Sequence, residues 1–261
     1  MLNALKLGLK RYALMHNRSI VYHDGADTTA ELVRRMWPIT TTCTLDRFGG
    51  DTDGAYLMPD DLEGIEAVFS PGVSTVATFE EQMAERGIDC YLADASVTAP
   101  PVMNDRFHFI PKFLGLYNSD KYMTIDRWVD ENTPGGGDLL LQMDIEGAEW
   151  SVLANVSERL LHRFRIMVVE FHGLERLLHS RPEREVLERL LMTHHVVHVH
   201  ANNAGPVPRA GSLELPEYLE VTFWRKDRAE PAGYATKFPH PLDIVNVASL
   251  PPLTLPDCWH A

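Results

Sequence analysis

Residues 138–153, DLLLQMDIEGAEWSVL, constrain the fold more than any other stretch of the chain. Leu139, Leu140, Leu141, Gln142 and Met143 form a run too apolar for a surface, and its length favours a strand buried on both faces over a buried helix. The run stops at Asp144-Ile145-Glu146-Gly147-Ala148-Glu149, where three carboxylates and a glycine follow directly. In a parallel α/β sheet the carboxyl ends of the strands open into the ligand crevice, so acidic side chains placed there meet whatever binds. Trp150, Leu153 and Val156 then recur at helical spacing, which returns the chain over the sheet.

Composition narrows the function classes. No apolar run approaches the ~20 residues of a membrane span. The N-terminal MLNALKLGLKRYALMH scatters lysines through its apolar positions and does not read as a secretory signal. Leu2, Leu5, Leu9 and Ala13 would share one face of a short amphipathic helix that docks on the body or on a partner subunit; a homo-oligomer is compatible with this. Cys43, Cys90 and Cys258 are far apart and odd in number, which argues for a reducing cytoplasm and against a disulfide framework or a cysteine zinc site. A formal charge of −13 over 261 residues opposes binding to nucleic acid.

Read in order, residues 1–37 are helical and accessory, with Asp27 or Thr28 capping a helix through Glu31, Leu32 and Arg35 that Pro38 closes. Gly49-Gly50 and Asp53-Gly54 mark a hairpin or lid. Beside the crevice it would bring Arg47, Asp51 and Asp53 near a ligand, although solvated aspartates on a surface hairpin are the simpler reading. IEAVFSPGV (65–73) is a strand ending in Ser70-Pro71-Gly72-Val73-Ser74-Thr75, followed by an amphipathic helix. A strand, a glycine turn and a helix start make a natural anion site. Asp94 closes the next strand about 20 residues later, where a ribose is hydrogen-bonded in nucleoside-binding folds; a turn aspartate is an equal alternative. Further strands are expected at 107–110, at 166–169 ending in Glu170-Phe171-His172-Gly173, at 197–200 as a half-buried strand, and from Pro216. Short helices are expected near 126–131 and 183–191, and the proline-rich end wraps the body in extended form.

MDIEGAEWSVL, VVEFHG, HANN and LPEYLEVTF, in that order, resemble the successive blocks of FkbM-type S-adenosylmethionine-dependent methyltransferases. RFGGDTDGAYLMP and KFPHPLDIVN resemble flanking segments of the same family. The resemblance covers roughly 45–247, leaving 1–44 as an N-terminal helical extension or lid and 248–261 as an extended tail. It implies an α/β, Rossmann-like class I methyltransferase fold with a seven-stranded, mostly parallel sheet. The last strand would be antiparallel and inserted between earlier ones, with Pro216-Glu217 on the same edge as Asp144 and Glu170. SPGVST departs from the family's more glycine-rich turn, since Pro71 removes an amide donor and the Ser74 and Thr75 hydroxyls take its place. Ser70, Gly72, Ser74, Thr75, Asp94 and Asp144 are therefore the expected cofactor contacts.

The implied reaction is methyl transfer from S-adenosylmethionine to a hydroxyl of a small molecule, glycan or secondary metabolite. A neutral alcohol is a poor nucleophile, so a base or a metal ion must act as its proton leaves. His172 is the first candidate for base because its pKa lies near neutrality. Glu170 lies on the same strand end, and Asp144 either orients His172 or holds the cofactor's amine. A divalent metal on Asp144, Glu170, His172 and Asn202 is the less favoured variant. Glu149 reads as a first-turn helix carboxylate. Of His194, His195, His198 and His200, only His200 stands near the site. A nicotinamide-dependent oxidoreductase and a non-catalytic cofactor-binding protein are the alternatives.

Overall fold

The computed structural model describes residues 26–51, 54–73 and 75–260. The expected helix carrying Leu2, Leu5, Leu9 and Ala13, and the positions Asp53 and Ser74, lie outside these residues. Seven strands form the central sheet: β1 (Ile65–Pro71), β2 (Asp89–Ala93), β3 (Phe107–Ile110), β4 (Asp138–Met143), β5 (Phe164–His172), β6 (His194–Ala201) and β7 (Tyr218–Arg225). Their order is β6-β7-β5-β4-β1-β2-β3. Strands β3, β2, β1, β4 and β5 run parallel, while β7 pairs antiparallel with both β5 and β6. This is the Rossmann-like architecture with its antiparallel insertion, and it departs from the all-parallel 3-2-1-4-5-6 order of the dinucleotide fold.

Among the described residues, six α-helices accompany the sheet: α1 (Ala26–Arg35), α2 (Thr78–Glu85), α3 (Ile125–Asn132), α4 (Glu149–Asn155), α5 (Glu158–Leu161) and α6 (Arg181–Thr193). Alternate strand residues point to opposite faces, and each face has its own core. Leu139, Leu141, Met167, Val169 and Phe223 pack with Leu32 of α1, Trp128 of α3, Leu153 of α4 and Leu187 of α6. Val68, Leu92, Leu140 and Val168 pack with Phe79 and Met83 of α2, and with Tyr56 and Met58 of an antiparallel hairpin, Leu45–Phe48 with Tyr56–Pro59.

Three expectations change. The segment read as accessory contributes Leu32, Val33 and Met36 to the main core, and Thr29 Oγ1 donates to Leu177 O at 2.6 Å. Its helix already holds Asp27 in the first turn, so that residue is not a preceding cap. β5 runs to His172, so Glu170 and His172 are strand residues on one face instead of turn residues beyond it. β6 is buried on both faces, because the C-terminal segment covers its histidine side: Asp243 Oδ1 lies 3.0 Å from His198 Nε2, and Asn246 Oδ1 lies 3.0 Å from His200 Nε2. That segment ends with Trp259 fully buried, its Nε1–H donating to Glu214 O at 2.8 Å.

Candidate functional site

The carboxyl ends of β1, β2 and β4 are locked into one rim. Gly72 adopts φ +96°, and a Cβ there would fall 1.6 Å from the carbonyl oxygen of Asp144. Only glycine lets the turn after β1 press against the turn after β4. The Gly72 N–H donates to Ala93 O at 3.1 Å, which ties in β2. Asp94 follows on that rim, buried, with Oδ1 accepting the Ser96 N–H at 2.7 Å. The turn-aspartate geometry is thus present at Asp94. Thr75 is exposed at the same end of the sheet.

Ser70, expected to meet the cofactor, is instead buried one alternation below the rim. Its hydroxyl lies between the Glu80 carboxyl and Gln142 Oε1, the latter at 2.6 Å. One hydroxyl proton cannot satisfy two acceptors. Burial raises the Glu80 pKa, with the Ser70 hydroxyl opposing. Gln142 Nε2 in turn donates to the Tyr56 hydroxyl at 3.1 Å. Burial first, then Asp144, Glu170 and Glu220, raise the Tyr56 pKa well above the phenolic norm. The hairpin thereby brings a neutral phenol to the acidic end of the sheet.

The loop after β4 is shaped by two left-handed residues, Glu146 at φ +56° and Gly147 at φ +96°. They turn the chain back so that Glu149 points inward. Its side chain is 0% exposed, and Oε1 accepts the Ile145 N–H at 2.9 Å and the Gly147 N–H at 3.1 Å. The indole N–H of Trp150 donates to His172 O at 2.7 Å, fixing this loop against the end of β5.

His172 stands at the centre. Its Nδ1 is 3.2 Å from Glu149 Oε1, and its Nε2 is 3.5 Å from Glu146 Oε2 and 3.9 Å from Asp144 Oδ1. The Tyr218 ring lies 5.0 Å away, centroid to centroid. Burial disfavours the imidazolium, but Glu149, then Asp144 and Glu146, outweigh it and hold the pKa above the usual histidine value. The 3.2 Å approach to Glu149 is out of line for a hydrogen bond. His172 Nδ1 and Glu149 Oε2 are both buried with no hydrogen-bond partner.

Glu170 sits one alternation behind His172 and directly across from Glu220 of β7. Its Oε1 accepts from Asn202 Nδ2 at 3.0 Å, while Asn202 Oδ1 accepts the Ala204 N–H at 2.9 Å. The Glu170–Asn202 pair therefore forms a contact of its own, and the carboxylate beside His172 is Glu149. Sequence reasoning read Glu149 as a first-turn helix carboxylate, which it is, but did not foresee its burial beside His172. The Glu146-Gly147 step was the available signal, since two successive left-handed residues reverse a loop. Tyr56 carried no comparable signal, because its place depends on how the hairpin docks. Arg47 donates to Gly50 O at 2.8 Å and Leu242 O at 3.4 Å, joining the hairpin to the C-terminal segment, and Asp51 is exposed.

His194 is a core histidine. Burial lowers its pKa to about 4, and its Nε2 lies 2.7 Å from Phe164 O. His198 and His200 both face Asp243. Among curated proteins, none matches the chain. A family model does match, over residues 118–191, a span that runs from before α3 through β4, α4 and β5 into α6. It includes Asp144, Glu149 and His172, and the family it describes is the one whose sequence blocks this chain resembles. Residues 118–191 are thus similar to the methyltransferase FkbM domain.

Proposed function

We propose that the protein transfers a methyl group from S-adenosylmethionine to a hydroxyl oxygen of a small-molecule or glycan acceptor. The observation that carries this reading is the meeting of the Gly72 turn with the Asp144 turn on the rim where Asp94 and His172 also end. The donor set suits the cofactor. Gly72 leaves backbone free of side chain beside Asp144, Asp94 suits a ribose diol, and Thr75 offers an exposed hydroxyl for the cofactor's carboxylate. When bound, S-adenosylmethionine supplies a methyl group already activated on a sulfonium.

The chain's own residues then have two tasks. One is to hold the acceptor oxygen in line with that methyl group, for which Asp144 and the Tyr218 ring beside His172 are the candidates. The other is to draw off the hydroxyl proton, because the neutral alcohol is a weak nucleophile. Asp144, Glu149 and His172 form the cluster suited to that second task, with Glu149 fixed by two backbone N–H groups and His172 fixed through the end of β5.

Calorimetric titration with S-adenosylhomocysteine and, separately, with NAD tests the cofactor assignment. Binding of the first alone is expected, and binding of NAD alone would reverse the reading. Methyl transfer from labelled S-adenosylmethionine to a panel of polyhydroxylated acceptors tests the reaction; label appearing on nitrogen or carbon would exclude the O-methyl assignment.

A further inference from the structure

We infer that Asp144, Glu149 and His172 form a binding site for one divalent first-row transition cation. Among the described residues, one ligand atom from each of the three lies within 4.8 Å of the others. Acidic clusters are common and do not by themselves make a site. What distinguishes this one is that two of its groups are built in and left unsatisfied. The Glu149 side chain is 0% exposed and Oε2 has no hydrogen-bond partner, although Oε1 is saturated by two backbone donors. His172 Nδ1, on the adjacent strand end, is likewise buried and without a hydrogen bond.

Leaving a buried carboxylate oxygen unpaired is unfavourable, and buried charges in folded proteins are paired or coordinate metals. Among the described residues no donor hydrogen-bonds either atom, whereas a cation held between the three side chains would satisfy both at once.

The donor set also narrows the ion. Two carboxylates and an imidazole suit Mn²⁺, Fe²⁺, Co²⁺ or Zn²⁺ better than Mg²⁺ or Ca²⁺, which prefer all-oxygen shells. Three protein ligands leave coordination positions for water or for an acceptor oxygen. Binding of the ion stands on the geometry alone. Its use to present the acceptor hydroxyl rests on the methyl-transfer reading, and it would lower the pKa of that hydroxyl by direct coordination. The less favoured metal variant read from the sequence used Glu170 and Asn202 with Asp144 and His172; the set inferred here has Glu149 in place of the first two.

The test uses the full chain, stripped of metal by chelation, without cofactor or acceptor. Mn²⁺ is titrated and free ion is followed by its electron paramagnetic resonance signal. Co²⁺ is titrated in parallel, because imidazole ligation alters its visible absorption. One equivalent is expected to bind to the wild type. Affinity should fall at least tenfold in Glu149→Gln, where Oε1 can still accept the two N–H groups, and also in Asp144→Asn. Unchanged circular dichroism and unfolding midpoint of the stripped variants would exclude misfolding; if Glu149→Gln unfolds, Asp144→Asn carries the comparison. Equal Mn²⁺ and Co²⁺ affinity in wild type and in the folded variant, or no binding by the wild type, overturns the inference. S-adenosylhomocysteine titrated into the same stripped samples keeps the two proposals apart, since it can bind where no cation does, and the reverse.

Discussion

The two rims of the central sheet handle charge in opposite ways. At the amino-terminal rim every buried arginine meets carboxylates and carbonyls. Arg165 donates to Asp138 at 2.8 Å, to Asp61 O at 2.9 Å and to Glu63 O at 2.7 Å. Arg163 donates to Glu66 and to the Thr133 and Gly137 carbonyls. Arg225 also grips Asp138, and Arg228 grips Asp61. Burial would raise the Asp138 pKa, but Arg225 and Arg165 outweigh it and lower it. At the carboxyl-terminal rim, three carboxylates, Asp144, Glu146 and Glu149, gather around one imidazole instead. Matched charge at one end fastens the fold, whereas collected negative charge at the other works against stability, which is the pattern of functional sites and the reason binding is proposed there.

Breaking the acidic rim should have the largest effect. His172→Ala is expected to lower methyl-transfer turnover by about 10²–10⁴-fold while S-adenosylhomocysteine affinity is retained. Steady-state kinetics beside calorimetry would show this, and full activity would remove His172 from the reaction. At the opposite rim Arg165→Met should destabilise the fold by about 3 kcal/mol, the low end for a broken buried ion pair, because Asp138 and Asp61 each keep a second arginine. Urea unfolding reads this, and a midpoint equal to wild type would mean the network is not structural.

The covering segment gives a third comparison. Burial disfavours charge on His200, but Asp243, Glu220 and Asn246 outweigh it and raise its pKa to about 9. The ring also stacks over His198, which shares Asp243. A raised histidine pKa stabilises fully below the unfolded value of about 6.5 and is lost as pH rises through about 9. Wild type should therefore lose on the order of 2 kcal/mol across that window, and Asp243→Asn should flatten the profile. A wild-type unfolding midpoint constant from pH 6 to 10 would contradict it. The smallest effect is expected at Asp94. Asp94→Ala should weaken S-adenosylhomocysteine binding about tenfold, the scale of one charge-assisted hydrogen bond. Unchanged affinity would leave Asp94 only its bond to Ser96.

Much of the fold was legible because it is written in local pattern. The apolar run before Asp144 and the repeat of that form before Glu170 set two adjacent buried strands, and the ordered blocks implied the antiparallel strand between β5 and β6. The site was legible only in part. The placement of Asp144 and His172 at neighbouring strand ends could be read, but what Ser70 and Glu170 touch could not be read from position. Their partners, Glu80 and Gln142 for one and Asn202 for the other, come from distant segments.

The sequence by itself determined which segments are buried strands, the place where acids leave the sheet, and the glycine turn after β1. Only the tertiary structure decided which acids meet. Two left-handed residues swing Glu149 under His172, and the docking of a hairpin and a tail buries Tyr56, His198 and His200. The physical reason is range: periodicity and turn chemistry act over a few residues, whereas the pairing of buried charge is settled by whichever distant segment packs against it.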